Sequence, residues 1–505
     1  MTQPAETTLD QIQSFEGKYP KQLWSLFFSE MWERFSFYGM RGMLTYFMVN
    51  QLFMEEKTAN LQYGATQAFV YAFTFIGGLF ADKILGFRKS LFWGGLLMIT
   101  GSLILAYDPK EFFFLGLSFN IIGTGFFKPN ISTMVGALYK EGDSRRDAGF
   151  SLFYSGINIG ALLGGYACIA IGKGNLLEGF VPENLRWNVA FGLAAIVMTI
   201  SLLTFVNTRK SLGTIGLPPI STVGNGKNWY EYMVYLGGLA SIPLIMKMVA
   251  NTQYTDWFMY IIGPFSLLYL VFEMTKHNSA EVKKLIAALL FIVFSVIFWA
   301  IFEQAGGSLS LFAANNLDDK ILGSITLDPN GVNNAANSLF VILFAPLIGL
   351  IWIWMAKRKI EPNTVVKFGL GFLFLGIAFY AFYACRFFAT DLGIASLDVF
   401  TVAYFVVTLG ELCLSPIGLS IMTKLSPTRL QGLMMGMWFL ASAYGQYVAG
   451  LFGASIVSDV ENATAMDKLI SYTEGYKQFG LYAVVCGLIL IAISPLIRKL
   501  MQEVK

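Results

Sequence analysis

The sequence has only one histidine and four cysteines among its 505 residues. His277 falls in a polar connector, whereas Cys168, Cys385, Cys413 and Cys486 all fall inside apolar segments. No group of these residues has the spacing of a metal site, or of a nucleophile with its base. The cysteines are expected to be small buried hydrophobic residues and not disulfides. We therefore predict no metal and no cofactor, and a membrane enzyme is disfavoured.

Charge is also scarce. Asp, Glu, Lys and Arg make up 13% of the residues and the net charge is +3, whereas 55% of the residues are hydrophobic and 16% are aromatic. A soluble protein of this length cannot bury so much apolar surface, so the composition predicts a polytopic membrane protein. The net charge is too small and too dispersed to indicate a nucleic-acid partner.

Apolar stretches long enough to cross a bilayer recur from end to end of the chain. They predict an all-α membrane protein with about 14 transmembrane helices. The predicted spans lie near 21–50, 62–82, 89–107, 111–138, 148–172, 187–207, 229–249, 257–275, 281–306, 336–356, 366–387, 395–423, 430–457 and 472–497. Several are longer than a bilayer requires, which indicates tilted helices.

Lysine and arginine cluster in alternate connectors, for example at 83–89, 140–146 and 209–227. Because positively charged connectors stay in the cytoplasm, both ends of the chain are predicted to lie there. These ends are the polar tail 1–20 and the short tail 501–505. An even number of spans agrees with this orientation.

The order of the spans predicts three parts. A bundle of six helices covers 21–208, a linker with two inserted helices covers 209–280, and a second bundle of six covers 281–500. This plan is typical of two-bundle secondary transporters, whose substrate site lies near the bilayer midplane between the bundles. The alternative is one unsymmetrical bundle of fourteen helices. The inserted pair carries few charges, and we expect it to pack against the bundles or lipid.

The first span carries four charged residues, Glu30, Glu33, Arg34 and Arg41. Glu30, Arg34 and Arg41 are four and seven positions apart, which places them on one side of a helix. An ionised side chain at the bilayer centre costs about 2.5–3.5 kcal/mol, so such a stripe is expected to face a wet or protein-lined interior. The stripe predicts the wall of a solute pathway.

Three further charged residues, Lys128, Glu303 and Glu411, fall inside other spans. Lys128 is expected either to pair with a carboxylate or to bind a substrate anion. Its helix is expected to be kinked at Pro129 or closely packed through its glycines. Glu411 lies deep in its span and needs a partner. The first half thus carries bases and acids, and the second half only acids. This division favours a zwitterionic solute, with its carboxylate toward the first bundle and its ammonium toward the second.

Polar and aromatic side chains accompany these charges. Tyr154 and Asn158 lie one turn apart and are expected to bond between helices or to line the path, and the glycines that follow are expected to serve helix packing. Trp299 lies one turn before Glu303 and is either part of the path or an interfacial anchor. Ser415 lies one turn after Glu411 and precedes Pro416, which is expected to bend its helix.

Several of these segments resemble one family. Residues 30–39, EMWERFSFYG, resemble the ExxERFxYYG signature of the proton-dependent oligopeptide transporters, with phenylalanine in place of the first tyrosine. Residues 153–160, FYSGINIG, resemble the FYxxINxG signature of the same family. Residues 78–89 are similar to the loop after the second span in the wider major facilitator superfamily, and 298–304 and 410–416 also resemble family segments.

The resemblance implies a major facilitator fold with two inserted helices and the proton-coupled import of di- and tripeptides, with protons as the coupling ion. It implies a multi-pass protein of a bacterial cytoplasmic membrane that works as a monomer. Proton coupling is implied for Glu30, Glu33, Arg34 and Glu303. Peptide binding is implied for Arg41 and Lys128 near the peptide carboxylate, for Asn158, Asn337 and Glu411 near its N-terminus, and for Tyr38, Tyr71, Tyr154, Trp299, Ser415 and Trp438 along the pocket.

Two further expectations come from the resemblance. Glu303 is expected to pair with Arg41 in a state that is closed on one side. Some members carry a histidine in the second span that is implicated in proton coupling, but residues 63–71 contain none. Coupling in this chain is therefore expected to rest on carboxylates.

Other functions remain open at this point. One is an antiporter of the same superfamily that exports drugs, and another is a family member that carries a different small solute such as nitrate. A channel or receptor is disfavoured, because internally paired charges of both signs do not form a ring for a permeant ion.

Overall fold

The computed structural model describes residues 8–219, 228–414, 418–460, 462–502 and 504. These residues form long α-helices and one short antiparallel pair of strands, β1 (Lys320–Ile321) and β2 (Ile325–Thr326). The helices are α1 (Leu9–Gln13), α2 (Lys21–Asn50), α3 (Glu56–Phe80), α4 (Gly86–Tyr107), α5 (Phe113–Ala137), α6 (Arg146–Lys173), α7 (Arg186–Thr208), α8 (Asn228–Ala250), α9 (Thr252–Met274), α10 (Ser279–Phe302), α11 (Ser308–Asn316), α12 (Pro329–Lys357), α13 (Thr364–Ala384), α14 (Leu397–Leu414), α15 (Gly418–Leu425), α16 (Gln431–Ser455) and α17 (Ala465–Met501).

Every predicted span coincides with one or two of these helices, so the all-α membrane class is confirmed. Within the described residues, ten helical stretches are long and apolar enough to cross a membrane. One of them, Glu56–Tyr107, contains two predicted spans, because a π-helical turn at Ala81–Leu85 joins α3 to α4. The count of fourteen is consistent with these helices and stays a prediction.

Several helices extend beyond the predicted spans. Helix α12 begins at Pro329 and not near 336, and α17 runs over Ala465–Met501 and not 472–497. Their first turns are polar and are capped by side chains, Asp328 accepting from the backbone N–H of Gly331 and Thr464 from that of Asp467. An apolar window measures the thickness of the hydrocarbon layer, whereas a capped helix continues beyond it.

One predicted span, 281–306, is also interrupted. In 281–306, α10 ends at Phe302 and a 3₁₀ turn over Glu303–Gly306 leads into α11. The Gln304 amide stabilises this break, because it donates 3.0 Å hydrogen bonds to the carbonyls of Ala300 and Ala449. In 395–423, the structure describes helix over Leu397–Leu414 and over Gly418–Leu425. Pro416, where the bend was expected, lies outside the described residues.

The chain divides into two compact units. Unit 1 is Met1–Met43 with Phe69–Ala250, and unit 2 is Leu44–Ala68 with Asn251–Lys505. In unit 1, α4 packs along α5 and α7, α6 packs on α7, and α8 packs on α5. In unit 2, α13 packs along α14 and α17, α10 packs on α16, and α12 packs on α14. The three-part division of the sequence at 208 and 280 stays a prediction.

The two inserted helices belong to different units. Helix α8 is attached to unit 1 by an ion pair of 2.5 Å between Lys89 Nζ and Glu231 Oε2. Helix α9 is attached to unit 2, where the Tyr447 hydroxyl donates a 2.6 Å hydrogen bond to Asp256 Oδ1 and the Tyr444 hydroxyl donates to the carbonyl of Met259. Each inserted helix therefore extends the unit on which it packs.

Three glycines of α6 hold the charged part of α2 at close range. Gly156, Gly160 and Gly164 recur every fourth residue, so they share one face of α6. A Cβ on Gly156 would lie 2.7 Å from the Phe27 ring, and one on Gly164 would lie 2.7 Å from the carbonyl carbon of Phe35. Small residues let two helix backbones approach closely, which helps to fix the position of α2.

We expect Gly160→Ala to lower the free energy of unfolding of unit 1 by about 1–3 kcal/mol, because the added methyl group would overlap the Met31 carbonyl and the Arg34 side chain. The measurement is the thermal unfolding midpoint in detergent. Gly237→Ala is the matched control, since a Cβ there has no described heavy atom within 4 Å. This control is expected to keep or raise the midpoint. Equal midpoints for the two variants would contradict the packing role.

Candidate functional site

Arg34 lies between two carboxylates in α2. Its Nη2 is 2.7 Å from Glu30 Oε1, and its Nε is 3.2 Å from Glu33 Oε2. All three side chains are buried, with Glu33 completely inaccessible. Glu30 Oε2 and both oxygens of Glu33 accept no hydrogen bond from any described residue. Buried carboxylate oxygens without donors are unusual, so this cluster has spare capacity for a proton or for a donor group.

Lys128 of α5 lies between aromatic rings near this cluster. Its Nζ is 4.4 Å from the centre of the Tyr71 ring and 5.5 Å from that of Phe37. Cation–π contacts of this kind hold an ammonium group in place without neutralising it. The charged groups that act on this ammonium are Glu33, Glu30, Arg34 and Arg41. Lys128 is therefore electrostatically part of the α2 cluster.

Arg41 and Tyr38 form a second base–aromatic contact in unit 1, with Arg41 Cζ 5.6 Å from the centre of the Tyr38 ring. Both side chains are half-buried. On α6, the Asn158 amide donates a 3.0 Å hydrogen bond to the Tyr154 carbonyl, which lies in the same helix. Unit 1 thus carries nine of the candidate residues, and two bases among them are partly accessible.

In unit 2, an amide holds the acid Glu411. Asn337 Nδ2 on α12 donates to Glu411 Oε2 on α14 at 2.8 Å and to Thr408 Oγ1 at 3.2 Å. Glu303, the first residue of the 3₁₀ turn after α10, is buried and lies within electrostatic reach of Glu411. The partner that Glu411 was expected to need is therefore an amide, which fixes the position of the carboxylate and leaves its charge uncompensated.

Unit 2 also carries the two candidate tryptophans. Trp299 lies one turn before Glu303, and its ring centre is 5.2 Å from that of Phe302. The bare Gly445 of α16 makes room for Trp299, since a Cβ at that glycine would lie 2.7 Å from the tryptophan Cβ. Trp438 of α16 is buried, with 9% of its surface exposed. Ser415 lies outside the described residues.

Sequence reasoning missed a cluster of polar contacts around Glu56 at one end of unit 2, which we call the polar seal. Glu56, at the start of α3, accepts a 2.6 Å bond from Lys468 Nζ and a 3.1 Å bond from Asn315 Nδ2, and it also accepts from the Tyr472 hydroxyl. The partners are up to 416 residues away in the sequence, so no local motif marks them. One signal was present, because the spans predict that Glu56 and Lys468 precede helices that enter from the same face.

The same seal includes close backbone contacts. The Thr45 hydroxyl near the end of α2 donates to the carbonyl of Gly306 in the 3₁₀ turn. A Cβ on Gly64 of α3 would lie 2.7 Å from the Cα of Gly450 of α16. The segment Leu44–Ala68 is therefore packed tightly on helices of unit 2 by bonds and by glycine contacts.

The many apolar spans and the buried acid–base clusters define a polytopic membrane transporter. Comparisons with known proteins agree with that class. A model described as the POT family matches residues 88–470. The peptide transporter YePEPT of Yersinia enterocolitica is 34% identical, over 96% of this chain and 96% of the relative. The dipeptide and tripeptide permease A of Proteus mirabilis is 29% identical, again over 96% of both chains.

A crystal structure described as the peptide transporter POT in complex with sulfate has 32% identity and a TM-score of 0.80, covering 98% of this chain and 100% of that chain. The chain belongs to the POT family, the proton-dependent oligopeptide transporters that its motifs resemble. The predicted major facilitator fold is thereby confirmed, and the protein is a transporter and not an enzyme.

We expect Glu56→Gln to loosen the segment Leu44–Ala68, because the amide loses the ion pair with Lys468. Hydrogen–deuterium exchange of peptides that cover the start of α3 measures the effect, and exchange there should be at least several times faster. The neighbouring Glu55→Gln is the control, since the Glu55 side chain is exposed and makes no hydrogen bond or ion pair with any described residue. Unchanged exchange in Glu56→Gln would show that the seal does not depend on this charge.

Proposed function

We propose that this transporter imports di- and tripeptides together with protons, by alternating access across the bacterial cytoplasmic membrane. One observation carries the proposal: all the candidate bases lie in unit 1, whereas the candidate charges of unit 2 are acids only. Unit 1 holds the partly accessible bases Arg41 and Lys128, whereas the candidate charges of unit 2 are the acids Glu303 and Glu411. A peptide with free termini is the zwitterion that such a division selects. Relatives named as peptide transporters support this substrate.

The peptide carboxylate is proposed to bind Arg41 and Lys128, since charge-assisted hydrogen bonds to bases are the strong ones. The peptide ammonium is proposed to bind Glu411, which Asn337 holds in position, with Asn158 close to the same terminus. The rings of Tyr38, Tyr71, Tyr154, Trp299 and Trp438, together with Ser415, would provide the pocket walls. Aromatic walls make few directional demands on a side chain, so the termini and not the side chains would determine binding.

Protons are proposed to enter this cycle at Glu33. Arg34 forms ion pairs with both Glu30 and Glu33, and both acids attract the Lys128 ammonium electrostatically. When Glu33 is protonated, Arg34 pairs with Glu30 alone and Lys128 loses the attraction of the Glu33 carboxylate. Its ammonium is then available to the peptide carboxylate. A proton on Glu33 thus strengthens peptide binding through Coulomb attraction, which couples the two substrates.

The energy is sufficient for accumulation. One charge that moves through 100 mV provides about 2.3 kcal/mol, and each pH unit adds about 1.4 kcal/mol. Together they correspond to a concentration ratio of about 500 for one proton per peptide. We propose both termini in the cytoplasm, supported by the basic connectors, and a monomer as the working unit. The pairing of Arg41 with Glu303 joins residues of different units and stays a prediction.

We expect Glu33→Gln to abolish uptake driven by a proton gradient in proteoliposomes, while exchange of labelled dialanine across the membrane continues. The amide cannot release a proton, but it leaves the peptide-binding groups in place. The control is Glu55→Gln, which makes the same substitution at an exposed glutamate and should keep gradient-driven uptake. Driven uptake of wild-type rate in Glu33→Gln would refute the coupling role, and loss of exchange as well would point to a structural role.

We expect Lys128→Ala to weaken the affinity for dialanine about 10- to 150-fold, which is the range for a lost charged hydrogen bond. Competition against labelled peptide gives the affinities. Dialanine amide, which has no terminal carboxylate, is the matched ligand, and its affinity should hardly change. If both ligands lose affinity equally, Lys128 is merely structural. Outward proton-driven efflux of other compounds, with no dialanine uptake, would instead favour the antiporter.

A further inference from the structure

Unit 1 has a cavity of about 490 Å³ that is separate from the candidate site. It lies among α4, α7 and α8, and none of its lining residues belongs to the charged clusters described above. One part of its wall is charged and consists of Arg88, Lys89, Arg209 and Glu231. The remainder is mainly apolar and aromatic. A cavity with this composition requires an amphipathic occupant.

The charged part carries more bases than acids. Arg88 is fixed by hydrogen bonds of 2.6 Å to the carbonyls of Ile215 and Gly213. Lys89 pairs with Glu231, but 45% of its side chain stays exposed. The Arg209 side chain is exposed and makes no hydrogen bond or ion pair with any described residue. The charged part of the wall, which we call the mouth of the cavity, thus has three bases and one acid. Its net positive charge selects an anionic group.

The apolar part continues from this mouth along α4. Phe92 and Leu96 lie one turn apart and are each 38% exposed, so they form a trough on the outer surface of unit 1. Trp93 and Tyr235 close the back of the cavity, with their ring centres 4.9 Å apart. Tryptophan and tyrosine favour the headgroup level of a bilayer. The trough therefore suits an acyl chain, with its polar end at the bases.

We propose that this cavity binds one anionic phospholipid, with the phosphate at Lys89 and Arg209 and an acyl chain along Phe92 and Leu96. Basic pockets between transmembrane helices on the cytoplasmic side are known to recognise such headgroups. Because Glu231 and Tyr235 belong to α8, the bound lipid would also fasten this inserted helix to unit 1. The occupant is a lipid and not the transported solute, since the cavity shares no residue with the candidate site.

The test uses native mass spectrometry of the full chain, with palmitoyl-oleoyl phosphatidylglycerol and the matching phosphatidylcholine as probes. Wild type should retain phosphatidylglycerol in preference. Lys89→Gln with Arg209→Gln should weaken this retention about 30-fold, or about fivefold for each base. Lys357→Gln with Arg358→Gln, two exposed bases at the end of α12, is the control and should change nothing. Equal retention in the test and control variants would overturn the proposal.

A second variant, for which we expect stronger lipid retention, distinguishes loss of the site from misfolding. Glu231→Gln removes the acid from the mouth, so it should strengthen phosphatidylglycerol retention, a gain that a damaged fold does not produce. Two other outcomes would also overturn the proposal. If millimolar inorganic phosphate displaces the lipid, the site binds a soluble anion. If phosphatidylcholine is retained equally well, the bases do not select an anionic headgroup.

Discussion

A charged side chain in the hydrocarbon layer has to be stabilised where it lies, because no water is available to do so. This constraint explains why Arg34 contacts two carboxylates at once and why Lys128 is held between rings. It also explains why Glu411 has an amide as its partner. Each arrangement positions a charge without fully neutralising it. A transporter needs this incomplete compensation, since a fully satisfied group would have nothing to offer a substrate or a proton.

The charged groups depend in turn on residues that have no charge. Gly156, Gly160 and Gly164 of α6 allow the backbone of α2 to come close, and Gly445 makes room for Trp299. In both places an absent Cβ sets the position of a functional side chain. The specificity of the site therefore rests partly on packing, which tolerates little change in volume. Substitutions at these glycines are expected to impair transport as substitutions of the functional residues themselves do.

Local periodicity was sufficient to predict the helices and the shared face of Glu30 and Arg34. It also predicted that Glu411 needs a partner, although not which residue supplies it. Asn337 is 74 residues away, and its pairing is a property of how α12 packs on α14. The break at Glu303–Gly306 was missed, although Glu303 and Gln304 are polar, because the stabilising contact from Gln304 reaches the carbonyl of Ala449, which is distant in the sequence. Long-range contacts of this kind leave no trace in a window of twenty residues.

The segment Leu44–Ala68 has a consequence for biogenesis. Its acid Glu56 is synthesised early, but Lys468 follows 412 residues later. At 5–20 residues per second, the ribosome needs roughly 20 to 80 s to reach that partner. During this interval the end of α2 and the start of α3 are already made, yet Lys468 and Tyr472 do not exist. A nascent chain that is stalled before α17 would therefore lack the ion pair of Glu56 with Lys468 and the hydrogen bond from Tyr472, even with unit 1 complete and the earlier partners of the segment already made.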